Sequence, residues 1–330
     1  MYNIAIVGAT GNVGRKLLEI LEERNFPIKN LYLFASKKSA GSKFKFKESE
    51  VLIEETSVEN IKGKKIDFAL FSAGGDVSLK FASVFTSIGA VVIDNSSAFR
   101  MDKNVPLIVP EVNPEDVKWH NGIIANPNCS TIQAMVPLKA LSNVYGIKRI
   151  IYSTYQAVSG AGVQGIADLE EGIKGNPPKK FPYPIAGNCL PHIDVFLDNG
   201  YTKEEMKMIE ETKKILHNYD LKITATTVRV PVLNSHSESI NIELEKPFEL
   251  NDVFELFSNT KGLTVYDDIK NNKYPTALTM SGKDDVFVGR IRRDFSIENG
   301  LNLWVVADNI RKGAALNAVQ IAELLIGSDK

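Results

Sequence analysis

The chain has 330 residues, of which 44% are apolar and 24% are charged, and its formal net charge is −1. This composition is typical of a folded globular protein, and the length exceeds what one hydrophobic core usually supports, so we predict two domains. Charges of both signs are interspersed without a basic face, which argues against nucleic acid as a partner. The two cysteines, Cys129 and Cys189, are too few for a disulfide framework, and no Cys/His spacing indicates a metal site.

The sequence begins with "MYNIAIVG" rather than with a basic region followed by a cleavable apolar segment. Apolar runs elsewhere in the sequence are too short to span a bilayer. We therefore expect a cytoplasmic protein that binds small molecules rather than a membrane.

The first 127 residues alternate short apolar runs with helical patterns. The run in "NIAIVG" is followed by glycines and then by "GRKLLEILEER", whose leucines recur at helical spacing. A second helix is predicted over residues 77–88. Further apolar runs predict strands at residues 31–35, 68–71, 90–93, 107–109 and 123–125. Strands that alternate with helices predict a parallel, doubly wound sheet of the Rossmann type.

Gly8, Gly11 and Gly14 form a GxxGxxG pattern between the first strand and the first helix. Glycines in this context allow a tight turn and let a pyrophosphate approach the N–H groups at the helix N-terminus. The alternative is a glycine-rich βα turn that binds nothing. We predict nucleotide binding here and at "FSAGG", which follows a later strand at the same expected edge of the sheet. The predicted cofactor contacts in these two loops are Gly8, Thr10, Gly11, Asn12, Val13, Ser72, Ala73 and Gly74.

The residues after the second strand indicate whether the cofactor is NAD or NADP. An NAD-specific fold would have an acid there for the ribose hydroxyls, whereas this chain reads "ASKKSAG". The hydroxyl of Ser36 and the ammonium groups of Lys37 and Lys38 suit a 2′-phosphate. NADP(H) is therefore predicted as the cofactor, with Ser36, Lys38 and Ser39 as contacts. The alternative is that the lysine pair is an ordinary solvated surface.

Cys129 lies in "NPNCSTIQ", where a loop leads into the helical pattern "IQAMVPLKALSNVYG". Ser130 or Thr131 is predicted to begin the helix, which would put the thiol at the positive end of the helix dipole. That position lowers the pKa of a thiol, and the N–H groups there can hold an oxyanion. The alternative is an inert buried thiol. A nucleotide domain joined to such a cysteine suggests an acyl group that is carried on sulfur and reduced by hydride.

After residue 145 the predicted strands become longer, with few helices between them. They lie in "KRIIYSTYQAV", "KITATTVRVPV", "SINIELE", "DVFVGRIRRDF" and "LNLWVVA", and they predict an α+β domain with a mostly antiparallel sheet. The proline-rich residues 176–192 are predicted to form a long loop near an active site or an interface. The final "IRKGAALNAVQIAELLIG" is predicted to be a helix of the first domain. We therefore predict an NADP-binding domain at residues 1–127 with a C-terminal helix at about 309–330, and a catalytic and dimerisation domain at residues 128–308.

These motifs together resemble one enzyme family. "GATGNVG", "SSAFR", "NPNCSTIQ", "YQAVSGAG" and "RVPVLNSHSES" occur in the order found in aspartate-semialdehyde dehydrogenases, over essentially the whole chain. The resemblance implies a reversible, NADPH-dependent and phosphate-dependent conversion of L-aspartyl 4-phosphate to L-aspartate 4-semialdehyde, in the biosynthesis of lysine, threonine, methionine and isoleucine. It also implies a homodimer, or a dimer of dimers, formed through the sheet of the second domain.

The resemblance also implies roles for individual residues. Cys129 is the implied nucleophile, which carries a thioester. Gln156 is implied to position the substrate and the sulfur. His236 is the implied acid/base, and the residues alone leave open the alternative of a solvent-exposed histidine.

The implied substrate carries a phosphate, a carboxylate and an ammonium group, each of which needs a partner of opposite charge. Arg100, with Asn128 and Lys214, is implied to hold the phosphate. Arg229 is implied to bind the α-carboxylate and Glu211 the ammonium group. Glu211 and Lys214 are three residues apart on one predicted helix face, where the alternative is a surface ion pair, and the neighbouring lysine leaves the register open by one residue.

By the same resemblance, Ser159, Gly160 and Asn309 lie on the nicotinamide side of the cofactor, where glycine permits a close backbone approach. The family often has an arginine where this chain has Lys38. Cys189 matches no catalytic motif and is predicted to be structural.

Two alternative functions fit parts of this pattern. N-acetyl-γ-glutamyl-phosphate reductase uses the same cysteine chemistry on a longer, acylated substrate, but Glu211 would meet no ammonium group there. A catalytically silent NADP-binding sensor would be expected to lack Cys129, Gln156 or His236, and all three are present.

Overall fold

The structure, a computed structural model, describes residues 1–328. The chain divides into two units, of which the first contains Met1–Pro127 and the chain from Ala314 onward. The second unit is Asn128–Gly313. The GxxGxxG loop therefore belongs to the first unit, and Cys129 lies at the start of the second.

A seven-stranded sheet forms the centre of the first unit. Its strands are β1 (Tyr2–Val7), β2 (Ile28–Ala35), β3 (Lys43–Phe46), β4 (Ser49–Glu55), β5 (Phe68–Phe71), β6 (Val91–Asp94) and β7 (Ile123–Ala125). The strand order is β3-β4-β2-β1-β5-β6-β7, and every neighbouring pair is parallel except the hairpin of β3 and β4. The predicted Rossmann-type sheet is confirmed.

Helices cover both faces of this sheet, which explains the continuous apolar runs of its strands. The helices are α1 (Asn12–Glu23), α2 (Val58–Lys62), α3 (Gly75–Ser87) and the C-terminal helix (Leu316–Ser328). Along β1, Ile4 and Ile6 face one hydrophobic cluster, while Ala5 and Val7 face the other. The first cluster contains residues of α1 and of the C-terminal helix, so the chain's end completes the first unit's core.

The strand predicted at residues 107–109 is wrong. Leu107 forms only an isolated bridge to Ala125. Polar side chains replace the missing strand contacts, because Asn113 donates to the carbonyl of Leu107 and Asn317 donates to that of Ile108, each at 2.9 Å. The hairpin of β3 and β4 is not among the predicted strands. Its "KFKF" strand has only four residues and alternates exposed lysines with phenylalanines, so it lacks the apolar run by which the other strands are predicted.

A six-stranded sheet forms the centre of the second unit. Its strands are β8 (Ile147–Gln156), β9 (Lys222–Arg229), β10 (His236–Leu244), β11 (Leu263–Val265), β12 (Val286–Asp294) and β13 (Gly300–Ala307). The order is β11-β12-β13-β10-β8-β9, with β8–β9 and β11–β12 parallel and the other pairs antiparallel. The predicted α+β domain with a mostly antiparallel sheet is confirmed.

The second unit has more helices than predicted. They are α4 (Cys129–Tyr145), α5 (Gly162–Ile173), α6 (Lys203–Ile215), α7 (Leu250–Ser258) and α8 (Ala277–Met280). Helix α4 packs on β8, β10 and β13 and against α6, while α6 packs on β9. These two helices therefore bring their first turns to the sheet that carries His236. In the described part of the chain, no helix is both long enough and apolar enough to cross a membrane.

Candidate active site

Cys129 is the first residue of α4. The side chain of Asn128 caps this helix by accepting the N–H of Ser130 at 2.9 Å, so the helix begins at Cys129 rather than at the predicted Ser130 or Thr131. The thiol lies at the positive end of the helix dipole, which favours the thiolate. Gly313 lies directly beside it, since a Cβ built on Gly313 would be 2.9 Å from Cys129 Cβ. No pattern in the sequence indicates this contact.

His236 is the first residue of β10 and is completely buried, so the alternative of an exposed histidine is wrong. Its Nε2 lies 3.2 Å from Cys129 Sγ. The N–H of Ala157 donates to its Nδ1 at 3.0 Å, which requires that this nitrogen carry no proton. Burial, followed by the charge of Arg229, lowers the pKa of His236 to about 3. The ring is therefore neutral, with its proton on Nε2 and directed at the sulfur.

Arg229 is the last residue of β9 and is 5% exposed. Its Nη1 donates to the carbonyl of Ala157 at 2.6 Å, and its buried Nε has no hydrogen-bond partner within residues 1–328. Burial lowers the pKa of the guanidinium from its usual value, and the charge of Glu204 opposes this shift. An arginine stays charged at ordinary pH. A buried cation with an unused N–H group suits an anionic ligand.

Glu204, in the first turn of α6, is an acid that the sequence analysis did not select. One carboxylate oxygen accepts from Asn128 Nδ2 at 2.9 Å and from Gln156 Nε2 at 3.1 Å, and the other accepts from Lys207 Nζ at 3.0 Å. Burial by itself raises the pKa of Glu204, but Lys207 and these hydrogen bonds lower it to about 2. Glu204 is therefore a buried carboxylate that shares partners with the turn before Cys129.

The predicted pair Glu211 and Lys214 lies two turns farther along α6, and both residues are buried. Glu211 Oε2 accepts the backbone N–H of Asn128 at 2.7 Å. This carboxylate therefore stabilises the backbone at Asn128, the residue before α4. Lys213 pairs with Glu210 at 3.3 Å and is more exposed than Lys214, so the alternative register shifted by one residue is not supported.

Glu238, two residues after His236 on β10, is a second acid that the sequence analysis missed. It is completely buried, and neither carboxylate oxygen has a hydrogen-bond partner in the part of the chain that the structure describes. Burial, followed by the charge of Glu204, raises the pKa of Glu238 well above its usual value. Burial without a hydrogen-bond partner therefore favours the neutral form of the Glu238 carboxyl group. An acid inside an alternating strand pattern, "SESINIEL", is the signal that could have drawn attention to it.

In the first unit, Arg100 is 7% exposed and is fixed by backbone carbonyls. Its Nε donates to Asn126 at 2.9 Å and its Nη2 to Asn95 at 2.7 Å. The two asparagines are joined through their side chains at 2.7 Å. This network gives the guanidinium one orientation.

The predicted cofactor residues of the first unit follow β1, β2 and β5, which are adjacent parallel strands, so these loops share one sheet edge. Gly8 has φ +90°, and a Cβ there would be 2.8 Å from the backbone of Ser72. A Cβ on Gly14 would be 2.2 Å from the Gly8 carbonyl oxygen. Ser36 and Lys38 are exposed after β2. The close approach of the two loops and the absence of an acid after β2 fit NADP(H).

The other predicted cofactor residues lie in the second unit. Asn309 Nδ2 donates to Ser159 Oγ at 3.0 Å, and both residues are buried. A Cβ on Gly160 would be 2.9 Å from Arg229 Nη1 and 3.3 Å from His236 Cε1. Glycine is therefore needed at this position for packing against the two functional side chains.

Cys189 is exposed, and its predicted structural role stays a prediction. It lies within the loop at residues 176–192 and outside the hydrophobic core. Within residues 1–328, no group of three or more His, Cys, Asp and Glu side chains could hold a metal ion.

Two family models match the chain. The model described as "Semialdehyde dehydrogenase, NAD binding domain" matches residues 3–120, and "Semialdehyde dehydrogenase, dimerisation domain" matches residues 138–312. The aspartate-semialdehyde dehydrogenase of Aquifex aeolicus (strain VF5) is 56% identical and is aligned over 98% of each chain. The chain belongs to the aspartate-semialdehyde dehydrogenase family.

Solved structures of this family have the same fold. The crystal structure of aspartate semialdehyde dehydrogenase II complexed with ASA from Vibrio cholerae has a TM-score of 0.95 and 46% identity, over 99% of this chain and 98% of that one. Aspartate semialdehyde dehydrogenase with NADP from Candida albicans has a TM-score of 0.79 and 25% identity, over 100% and 99% of the chains.

The neutral state of His236 predicts a specific NMR signature. In protein labelled with ¹⁵N-histidine, we expect the His236 Nε2 signal to be that of a protonated nitrogen and the Nδ1 signal that of an unprotonated one, without titration between about pH 5 and 9. Comparison with His236→Asn identifies the signals among the four histidines. Titration near pH 6.5, the usual value for histidine, would contradict the assignment.

The raised pKa of the buried Glu238 predicts a pH-dependent stability. The pKa of Glu238 is higher in the folded protein than in the unfolded chain. Above the ordinary pKa of a glutamate, the unfolded chain has lost this proton while the folded protein still holds it. The free energy of unfolding therefore falls as the pH rises above that ordinary pKa. Glu238→Gln removes this ionisation while keeping the size of the side chain. We expect the variant to have a higher Tm than the wild type at pH 8 and no advantage at pH 4. An equal change in Tm at both pH values would show that ionisation is not involved.

Proposed function

We propose that this protein catalyses the NADPH-dependent reduction of L-aspartyl 4-phosphate to L-aspartate 4-semialdehyde and phosphate, and the reverse reaction. The observation that carries this proposal is the hydrogen-bonded pair of Cys129 and His236 at a helix N-terminus, with a buried cation, Arg229, and a buried anion, Glu204, near the histidine. A substrate that carries a carboxylate and an ammonium group at one end and an acyl group at the other suits this arrangement.

Arg229 is proposed to bind the α-carboxylate of the substrate, since its buried Nε–H has no partner among the described residues. For the ammonium group we propose Glu204 in place of Glu211. Glu204 shares hydrogen bonds with Asn128 and Gln156, whereas Glu211 supports the backbone of Asn128. Glu204 argues against an N-acetylated substrate as Glu211 did, because such a substrate has no ammonium group to pair with a buried carboxylate.

Three further residues are proposed to act near the phosphate. Lys207 is bonded to Glu204 and to Asp194, and we prefer it to Lys214 as the lysine of the site. Arg100 is proposed to contact the phosphate because a guanidinium suits a phosphate and backbone carbonyls fix the orientation of this one. The N–H groups at the start of α4, where Asn128 is the cap, favour an anion there.

The proposed reaction begins when the Cys129 thiolate attacks the acyl carbon and phosphate leaves, which forms a thioester. Bound NADPH supplies the hydride that reduces this thioester. The Nε2–H of His236 donates a hydrogen bond to the thiolate before attack and to the oxyanion after reduction. Collapse of the thiohemiacetal anion releases the aldehyde and restores the thiolate, so the cycle needs no net proton from the ring. A neutral imidazole is suited to this electrophilic role.

Ser36 and Lys38, with Ser39, are proposed to bind the 2′-phosphate of NADP. The loops after β1 and β5 are proposed to bind the pyrophosphate, because glycine allows them to approach each other and the N-terminus of α1 closely. Ser159, Gly160 and Asn309 are proposed to contact the nicotinamide side. The C. albicans relative with NADP supports the choice of cofactor.

The active form is proposed to be a homodimer in the cytoplasm, and a dimer of dimers is an alternative for the assembly. A match to a dimerisation-domain model over residues 138–312 supports self-association. The sheet face that carries Tyr155 and Trp304 is the proposed contact surface, because both aromatic residues are partly exposed there. The biosynthetic role of the family supports the proposed location.

Absorbance at 340 nm tests the proposed reaction. Purified protein is given L-aspartate 4-semialdehyde, phosphate and NADP, with NAD as a parallel sample. We expect an increase that requires phosphate, is greater with NADP and is absent in Cys129→Ala, because the thioester cannot form without the thiol. If folded protein gives no increase, the proposal is wrong, and N-acetylglutamate semialdehyde is the next substrate to test. Inactivity on both substrates would favour the sensor hypothesis.

Two isosteric substitutions on α6 separate the proposed ammonium partner from its neighbour. For Glu204→Gln we expect the KM for aspartate semialdehyde to rise by about tenfold or more, because a buried charge pair is lost. For Glu211→Gln we expect a lower Tm and a smaller change in KM, since the hydrogen bond to the Asn128 N–H is weakened. A large rise in KM for Glu211→Gln and a small one for Glu204→Gln would show that Glu211 binds the ammonium group. Steady-state kinetics and thermal unfolding on the same preparations give both quantities.

A further inference from the structure

Asp168 on α5 anchors the irregular segment at residues 176–192. Its side chain is 5% exposed and accepts three backbone N–H groups. Oδ1 accepts from Lys179 at 2.9 Å, and Oδ2 accepts from Lys180 at 2.7 Å and from Phe181 at 2.9 Å. Burial by itself raises the pKa of Asp168, but these hydrogen bonds lower it, so the carboxylate is charged. One carboxylate thus fixes three consecutive residues of the loop.

The fixed part of the loop ends at a side chain that faces Arg229. The guanidinium of Arg229 lies over the Phe181 ring, with its carbon 6.0 Å from the ring centroid. Phe181 also packs against the cluster formed by Val158, Leu169 and Ile185. The ring therefore has a defined position on one side of the guanidinium, at a distance where the cation is attracted to the aromatic face.

The other end of the same segment is bonded to the backbone of Arg229. Leu190 and Arg229 exchange two hydrogen bonds, with the Leu190 N–H donating at 2.9 Å and the Arg229 N–H donating at 2.8 Å. The side chain of Leu190 belongs to the same hydrophobic cluster as Phe181. Residues 181–190 therefore contact both the main chain and the side chain of Arg229.

Few other contacts determine the direction of the Arg229 guanidinium. Its Nη1 donates to the Ala157 carbonyl, and Gly160 provides the space beside that nitrogen. Its Nε has no partner within the described residues. A long side chain with one such hydrogen bond depends on packing for its orientation, because arginine has several rotatable bonds.

We propose that Asp168 is a positioning residue for substrate binding: by fixing Lys179–Phe181 it holds the Phe181 ring against Arg229 and orients the guanidinium for the substrate carboxylate. This inference rests on the proposed function, in which Arg229 binds that carboxylate. Asp168 touches neither the substrate nor the reacting atoms in this scheme. Its effect is therefore expected in substrate affinity rather than in the chemical step.

The test compares Asp168→Asn with Phe181→Leu and with Asp268→Asn as a matched control. Asp268 also accepts a backbone N–H, from Asn271, in an exposed turn of the same unit. For Asp168→Asn and Phe181→Leu we expect the KM for aspartate semialdehyde to rise by about tenfold, with kcat and the KM values for NADP and phosphate within about twofold of the wild type. The control is expected to leave all these values unchanged.

A double-mutant cycle shows whether the effect passes through Arg229. In an Arg229→Lys background, we expect Asp168→Asn to change the KM by less than about twofold, because the guanidinium that it orients is absent. A fall in kcat at unchanged KM, or an equal effect in both backgrounds, would reduce Asp168 to a purely structural residue and overturn the inference. If Asp168→Asn does not fold, the effect of Phe181→Leu on the KM is compared in the same two backgrounds. An inactive wild type contradicts the proposed function instead, so the two failures are distinguishable.

Discussion

Three hydrogen bonds of Asn128 fix the start of α4, two of them join it to α6, and the position of the nucleophile depends on them. The side-chain oxygen caps α4, the side-chain amide donates to Glu204, and the backbone N–H donates to Glu211. A helix start has unpaired N–H groups, and burying one without partners would be unfavourable. The same bonds that satisfy this turn therefore fix both the sulfur of Cys129 and a carboxylate beside it.

Four buried ionisable side chains near Cys129 differ in charge. Arg229 and Glu204 are charged and His236 is neutral at neutral pH, whereas burial favours the neutral form of Glu238. Burial penalises every charge, and only Glu204 has enough partners to reverse that effect. The neutral histidine is consistent with the Ala157 N–H that occupies its Nδ1. The pattern places fixed charges where a zwitterionic substrate would need them and keeps the group beside the sulfur uncharged.

Much of the fold could be predicted from local patterns. The β-branched runs, the glycines after β1 and the helical spacing of α1 determine a parallel sheet, because each constrains the backbone on its own. The segment at 107–109 shows the limit of this reasoning. Its apolar residues are buried as expected, yet asparagine side chains bond to its carbonyls, and a sequence pattern does not reveal a partner as distant along the chain as Asn317.

The sequence by itself determined the glycine turn between β1 and α1, the helix that follows Asn128 and the family, since these depend on neighbouring residues. The choice between Glu204 and Glu211 was left to the tertiary structure. Each glutamate is followed by a lysine three residues later, and the two pairs are seven residues apart, so both lie on the same face of α6. Only the packing of α6 against α4 brings the first turn, and not the third, to Gln156 and the side chain of Asn128. Likewise, only the sheet buries His236 against Cys129, because their 107-residue separation is closed by β10 and α4 together.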